Sequence, residues 1–346
     1  MRIAIEPDLL QGESFSAHWV ERLRELGHTA ELVSVRDADF MERVKACDGF
    51  LWWFAPLPFP RELAKRVMAA LDHGTDVVVH PDWRSCWHFD DKIAQAYLLR
   101  AADLPTPRTW IFWSYEEALA FLRDATYPLV AKLSFGFRGL NVGLVRDRAE
   151  AESLAHRVFG EGVFRLRESP LALLRSSLRP LRDVLRRRAG RAPKPLPDAQ
   201  RNALLLQEFV AGNDFDTRVN VIGDRAFAWR RENAPNDFRA SGANRQKLEP
   251  PLIDRAAIRL ALRAARTLNM RTAAVDMLLR KDGEPLISEI SFFFEPFIVR
   301  LCQGHFRLAG EELQWVDGAV EPEAAILDDF LEQVAARAKN RGGEAR

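Results

Sequence analysis

The chain has 346 residues, 47% hydrophobic and 29% charged, enough for a sizeable core and two or three subdomains, which excludes a disulfide-stapled miniprotein or a disordered tail. Fifty basic residues nearly cancel 49 acidic ones, so the formal charge of +1 gives no global case for nucleic acid as a partner. The balance is uneven, because 165–201 holds eleven basic residues against three acidic ones, a local +8 that leaves −7 for the rest.

Cys47, Cys86 and Cys302 are far apart and odd in number, which points to a reducing compartment and away from structural zinc. No apolar signal region follows Met1, and no apolar run reaches the roughly 18 to 20 residues of a membrane span. The expectation is a cytoplasmic protein.

The first eighty residues alternate short apolar runs with amphipathic stretches. Strands are predicted at 2–5, 30–35, 49–54 and 77–80, and helices at 16–26, 39–46 and 61–73. Such alternation predicts a small parallel α/β domain with helices on both faces. Next come a helix at 91–102, a strand at 109–113, a helix at 116–123, a strand at 129–132 and a glycine-punctuated turn. The basic segment follows, and a strand at 204–209 resumes the pattern. Residues 216–229 read as two strands joined at Gly223-Asp224, then a helix at 254–268 precedes strands 272–279 and 286–290 around the turn Lys281-Asp282-Gly283.

Four pieces carry chemistry. Lys132 ends a strand and is followed by Ser134, Gly136 and Gly139, so an ammonium and close-approaching backbone N–H groups could meet phosphate oxygens; a plain turn competes. Gln207-Glu208-Phe209-Val210 with Asp214 offers an apolar strand end for adenine and a carboxylate for ribose hydroxyls, against a solvated acidic turn. Arg218, Arg230, Arg231 and Arg239 are guanidiniums suited to developing phosphoryl or acyl charge, although in a chain with 42 Arg and eight Lys a surface role competes for each. Asp276 and Glu289 stand on partner strands of one hairpin, where a magnesium ion would relieve their repulsion; a salt bridge from one of them to an arginine is the rival reading.

In this order the four pieces resemble the ATP-grasp superfamily from about Trp83 to about Val334. Asp91-Lys92 opening a helix, Leu104 to Thr109 after it, Asp216-Thr217-Arg218 and Val221-Ile222-Gly223-Asp224 complete the likeness. Carboxylate-amine ligases related to glutathione synthetase and the ribosomal-protein glutamate ligases are the branches most similar in pattern. A narrower resemblance, carried by Phe15 to Trp19, Cys47-Asp48, Pro81-Asp82, Cys86 to Lys92 with Gln95 and Tyr97 to Leu99, and Glu289-Ile290-Ser291, is to ATP-grasp proteins associated with bacterial cell-surface polysaccharide synthesis.

The resemblance implies an α/β fold in three parts: a Rossmann-like pre-ATP-grasp domain at 1–85, an N-terminal ATP-grasp region at 86–210 with the basic insertion 160–203, and a C-terminal subdomain at 211–340, with nucleotide between the ATP-grasp subdomains. It implies Lys92 and Lys132 on the ATP phosphates beside the loop of Ser134, Gly136 and Gly139. Gln207, Glu208, Phe209 and Val210 would line the adenine slot, with Asp214 at the ribose. Asp276 and Glu289 would hold Mg²⁺, with Ser291 where the family commonly has Asn. Arg230 would face the transferred phosphoryl group, and Arg218 and Arg239 the acyl-phosphate or substrate carboxylate.

The implied reaction is ADP-forming ligation of a carboxylate to an amine or hydroxyl, and the narrower resemblance implies a saccharide-linked substrate; a kinase and a nucleotide-binding regulator are the alternatives. Phe238, Phe292 and Phe294 are expected to shape the acceptor pocket, although aromatic lining suits sugars and ordinary packing alike. The segment 165–201 is either an insertion packed by its leucines or a peripheral contact with anionic membrane at the inner face.

Overall fold

The computed structural model of the chain describes residues 1–7, 15–136, 139, 141–166, 199–235, 237–240 and 245–344. Most of the basic segment, with its leucine and arginine ladder, lies outside the described residues. The chain forms two units, one of Met1–Phe89, Tyr97–Thr106 and Val210–Arg346, the other of Asp90–Ala96 and Pro107–Phe209.

The first unit opens with β1 (Arg2–Ile5), α1 (Phe15–Glu25), β2 (Thr29–Leu32), α2 (Phe40–Lys45), β3 (Gly49–Leu51), α3 (Pro58–Gly74) and β4 (Val78–His80). The four strands form a wholly parallel sheet in the order β2-β1-β3-β4. β3 and β4 are buried along their length, which is why they read as unbroken apolar runs rather than as alternation. The short α4 (Trp83–Cys86) follows, its first turn capped by Asp82, whose carboxylate accepts the Ser85 N–H at 2.8 Å.

In the second unit α5 (Lys92–Ala101) contributes its first residues, up to Ala96. β5 (Thr109–Phe112), α6 (Tyr115–Asp124), β6 (Leu129–Lys132), β7 (Val142–Val145), α7 (Arg148–Phe159) and β8 (Leu204–Glu208) complete it. The sheet is antiparallel in the order β5-β8-β6-β7. Leu122, Leu129, Leu154, Val158, Leu204 and Leu206 form its core between the sheet and the two helices.

The first unit resumes with β9 (Phe215–Ile222), β10 (Arg225–Glu232), β11 (Gln246–Lys247), α8 (Arg255–Thr267), β12 (Thr272–Leu279), β13 (Pro285–Ser291), α9 (Pro296–Leu301), β14 (Gly304–Ala309), β15 (Glu312–Asp317) and α10 (Pro322–Glu344). These strands make a seven-stranded antiparallel sheet, β13-β12-β9-β10-β14-β15, with β11 on β10. The long α10 returns to the N-terminal sheet. A Cβ added at Gly49 would lie 2.5 Å from Phe330 Cζ, so only glycine lets the helix come this near to β3. The Trp19 indole N–H on α1 donates to the Glu323 carbonyl at 3.0 Å and fixes the start of α10. Among the described residues, no helix is long and apolar enough to cross a membrane.

Phe292 and Phe294, expected to line an acceptor pocket, are buried instead, 0% and 1% exposed, and meet Trp53 edge-on at ring distances of 5.5 and 5.3 Å. Their sequence signal was that of aromatic residues beside a functional strand, and core packing accounts for it. Trp53 also stacks on His80 at 6.0 Å. Burial, reinforced by Arg271, pushes the His80 imidazole down to about 3. The unfolded chain binds a proton near pH 6.5 that the folded chain refuses until about pH 3, so stability is full above that window and is lost as pH falls through it. His80→Phe, which keeps the stack, is expected to remove roughly 3 kcal/mol of the loss in urea-unfolding free energy between pH 6.5 and about pH 4. An unchanged pH slope would show that His80 is not its source.

Candidate functional site

The predicted residues divide between the two units. In the second, Lys92 starts α5 and is buried; its backbone N–H donates to the Ser134 carbonyl at 2.7 Å and its ammonium to the Gly136 carbonyl at 2.6 Å. Lys132 ends β6, also buried, opposite Val142 and Leu205. Both scarce lysines therefore lie at the strand end that opens the glycine loop. Gly136 has φ +117°, and a Cβ there would stand 2.7 Å from Asn141 Nδ2, so that backbone position requires glycine. Gly139 is also left-handed, at φ +70°.

Three residues that the sequence left without a role shape this loop. The Asp90 carboxylate accepts the Gly136 N–H at 2.8 Å, and the Asn141 amide donates to the Phe135 carbonyl at 2.9 Å. Gln200 accepts the Ser134 N–H on its side-chain oxygen and donates from its amide nitrogen to the Ala203 carbonyl, while its backbone pairs with Val163. It is 5% exposed and stands where the chain returns from the basic segment, in a stretch whose composition gives no hint of a loop anchor. Gln200→Ala leaves the Ser134 N–H without its side-chain acceptor, and we expect that amide to exchange its hydrogen about tenfold faster, a loss of one charge-free hydrogen bond and of loop order. Gln200→Glu keeps that acceptor but turns a carboxylate oxygen on the Ala203 carbonyl, so it should recover only part of the loss.

Gln207 and Glu208 end β8. The Gln207 amide donates to the Thr109 hydroxyl at 2.9 Å, and the Glu208 carboxylate accepts the Arg108 N–H at 2.9 Å, so both side chains brace the segment entering β5. Phe209 and Val210 are half-buried, and Asp214 is exposed. Between them Asn213 pins the first unit's stretch, its amide donating to the Val210 carbonyl at 3.2 Å and the Leu279 carbonyl at 2.9 Å.

The seven-stranded sheet carries the densest charge. β9 and β10 pair Asp216 with Arg231 and Arg218 with Trp229; β9 and β12 pair Arg218 with Asp276; β12 and β13 pair Asp276 with Glu289. Side chains directly opposite, or two apart on one strand, share a face, so Asp216, Arg218, Arg231, Asp276, Glu289 and Ser291 all project from the same side. Arg231 binds Asp216 through two hydrogen bonds of 2.7 and 2.6 Å and reaches Asp276 at 2.9 Å. Arg218 grips both Asp276 oxygens at 2.9 and 3.1 Å. Asp276 thus also satisfies the rival reading, a carboxylate paired with arginine.

The two aspartates titrate in opposite directions for one reason. Burial alone raises each carboxyl; for Asp276 the guanidiniums of Arg218 and Arg231 together outweigh it and hold the group below the ordinary carboxylate range. Asp216 has one close guanidinium, Arg231, and the repulsion of Asp276 as well, so burial prevails and pushes it up. Buried Arg231, despite desolvation, stays firmly protonated between the two.

Arg230 is placed elsewhere. It pairs with Thr217, and its guanidinium lies over the Phe215 ring at 4.1 Å, on the opposite face of the sheet from Asp276. The strand pleat separates the adjacent arginines, so Arg231, and not Arg230, shares the face of Asp276. The signal was available: a two-residue turn at Gly223-Asp224 already sets Arg231 across from Asp216. Arg239 is held by Asp237 two residues away, at 2.6 Å. The Ser291 hydroxyl donates to the Phe293 carbonyl at 3.2 Å and accepts the Phe293 N–H at 3.0 Å, closing a turn at the end of β13. His88, 0% exposed and pushed down to about 4 by burial and then by Lys65, is a core histidine.

Asp276 and Glu289 form an all-oxygen donor pair without histidine or thiol, which suits a hard dication. No group of three or more His, Cys, Asp or Glu that could hold a metal occurs among the described residues. Two carboxylates fit magnesium, which commonly takes one or two from the protein and completes its shell with phosphates and water.

A family model described as a RimK-like ATP-grasp domain matches residues 184–292. A probable alpha-L-glutamate ligase 1 of Shewanella frigidimarina is 36% identical over 210 residues, 58% of this chain and 54% of that protein. The chain spans from about a fifth to about half the length of the curated relatives it matches. Among solved structures, the RimK domain protein ATP-grasp from Sphaerobacter thermophilus superposes with a TM-score of 0.56 at 18% identity, covering 96% of this chain and 100% of that one. A Chryseobacterium gregarium RiPP-associated ATP-grasp ligase, in complex with ADP and a leader and core peptide, gives 0.58 at 14% identity over 96% and 97%.

Proposed function

We propose that this chain, which has the ATP-grasp fold and matches a RimK-like ATP-grasp model over residues 184–292, is an ATP- and Mg²⁺-dependent ligase joining a carboxylate to an amine or hydroxyl. The observation that carries this reading is the single sheet face presenting Asp276, Glu289, Arg218 and Arg231. Anionic oxygens for a metal and guanidiniums for phosphoryl or acyl charge are what such a reaction needs side by side.

In this proposal a substrate carboxylate oxygen attacks the γ-phosphorus, the bond to ADP breaks, and an acyl-phosphate forms. The acceptor nitrogen or oxygen then attacks the acyl carbon, loses its proton, and inorganic phosphate departs. Bound Mg²⁺ would neutralise charge on the phosphate oxygens. Lys92 and Lys132 hold the phosphates next to the loop of Ser134, Gly136 and Gly139. The backbone from Gln207 to Val210 receives adenine, and Asp214 the ribose. Asp276 and Glu289 hold the metal, Arg231 takes the role first given to Arg230, and Arg218 and Arg239 orient the substrate carboxylate or acyl-phosphate. No protein nucleophile is required, since positioning and charge neutralisation suffice.

The relatives named as alpha-L-glutamate ligases put L-glutamate first among carboxylates and amines to test. A saccharide-linked substrate in cell-surface polysaccharide modification is the setting we propose. The test is ADP release from MgATP over a panel of amino acids, peptides and uronic-acid glycans, with product mass analysis. A ligase releases phosphate, and a kinase leaves it on the acceptor.

The Ser291 hydroxyl, engaged by Phe293, favours a second reading, a nucleotide-binding regulator; tight ATP binding without ADP release across the panel would establish it. We place the chemistry in the cytoplasm, with 165–201 touching anionic membrane. Liposome flotation that is unchanged by deleting 171–193 would remove that contact.

A further inference from the structure

The Asp276 carboxylate already has cations on it. Arg218, Arg231, Asp216 and Asp276 form a quartet of two positive and two negative groups with side chains 11 to 19% exposed, so the group is neutral before any metal arrives. A dication brought to Asp276 and Glu289 meets two guanidiniums within about 3 Å of the same oxygens, and in this poorly solvated setting like-charge repulsion is severe.

The two arginines are not held alike. Arg231 keeps two hydrogen bonds of 2.7 and 2.6 Å to Asp216 whether or not Asp276 is available, and leaving would strand that buried carboxylate. Arg218 is attached through one nitrogen, Nη1, to Asp276; its other side-chain hydrogen bond among the described residues runs 3.3 Å from Nε to the Asn220 side-chain oxygen. Losing Asp276 leaves Arg218 the more exposed and more weakly tethered of the pair.

We propose that Arg218 is the resident counter-cation of Asp276, exchanged for the divalent metal while Arg231 stays pinned by Asp216. The exchange frees a guanidinium at the moment the metal is loaded, so a carboxylate-bearing substrate finds its arginine only after metal and nucleotide are in place. This rests on the ligase reading above, because it takes Asp276 as a metal ligand. It adds an order of binding, with Arg218 as a residue that positions substrate in step with the metal.

The test is calorimetric titration of Mn²⁺ alone into the nucleotide-free full chain. Wild type should bind weakly, and R218Q at least about tenfold more tightly, because one like charge is gone. R218K keeps the charge and should stay within about threefold of wild type. R218Q leaves Asp276 paired with Arg231, and unchanged circular dichroism in EDTA checks that it folds. If R218Q binds Mn²⁺ no more tightly than wild type, the exchange is wrong.

A second readout serves if R218Q does not fold. In [¹⁵N]arginine-labelled wild type, the Nε–Hε resonance absent from R218K should move on adding Mg²⁺ with ADP, and a resonance that stays in place overturns the proposal. Mn²⁺ that fails to bind even with ATP present would bring down the ligase reading as well. Binding with ATP, lost in Glu289→Gln, together with an unimproved R218Q, would sink the exchange alone.

Discussion

Glu289→Gln is expected to lower ATP-dependent ADP release at least about a thousandfold, whereas Arg230→Gln should change it by less than about fivefold. The first substitution removes one of three carboxylates on the sheet face that carries Asp276, and with it, on the proposed reading, charge that would draw a metal to the polyphosphate. Its shape is conserved, and its carboxylate is half-buried rather than in the core, so a folding defect should not intervene. The second alters a guanidinium on the reverse face, packed on Phe215 at 4.1 Å, where its loss touches packing but no reacting group. Both variants are read in one coupled ADP assay under saturating MgATP. Equal losses would mean that the sheet face does not carry the chemistry, and an active Glu289→Gln would remove the metal assignment.

The contrast between neighbouring arginines shows how far sequence reaches. Strands Arg2–Ile5, Leu129–Lys132 and Thr272–Leu279 stand where apolar pattern predicted them, to the residue. The pairing of Asp276 with Glu289 was legible because a tight turn at Lys281-Asp282-Gly283 leaves little freedom of register, even with the irregularity after Asp276. Arg231 was equally legible from the turn at Gly223-Asp224, but a choice between adjacent residues by residue type alone ignores the pleat, which sends them to opposite faces.

Other features leave no local trace. Gln200 anchors the glycine loop across 66 residues of chain, and Asp90 reaches Gly136 across 46, contacts that only the folded sheet brings about. Phe292 and Phe294 read as pocket lining because burial and ligand contact select the same residue types. The final helix, Pro322–Glu344, has Ile326, Leu327, Phe330, Leu331 and Val334 on one buried stripe, yet nothing in that pattern announces that it covers the N-terminal sheet.

Arg231→Met is the substitution expected to cost most in stability, about 3 to 5 kcal/mol in urea unfolding at neutral pH. Two carboxylates share this one guanidinium, and Arg218 can compensate Asp276 but makes no hydrogen bond to Asp216 among those described. The variant therefore leaves Asp216 buried without its bidentate partner, forced to keep an uncompensated charge or to take up a proton, a worse state than a neutral amide of the same shape. Adding Asp216→Asn to Arg231→Met removes the stranded charge and should restore about 2 kcal/mol, although Asp216→Asn alone is itself destabilising. That reversal of sign separates an ion pair from simple packing, since two packing defects in contact do not cancel. A double variant less stable than Arg231→Met would show that Asp216 acts in the fold independently of Arg231. A single Arg231→Met variant within about 1 kcal/mol of wild type would show that the quartet is not what holds this sheet face in register.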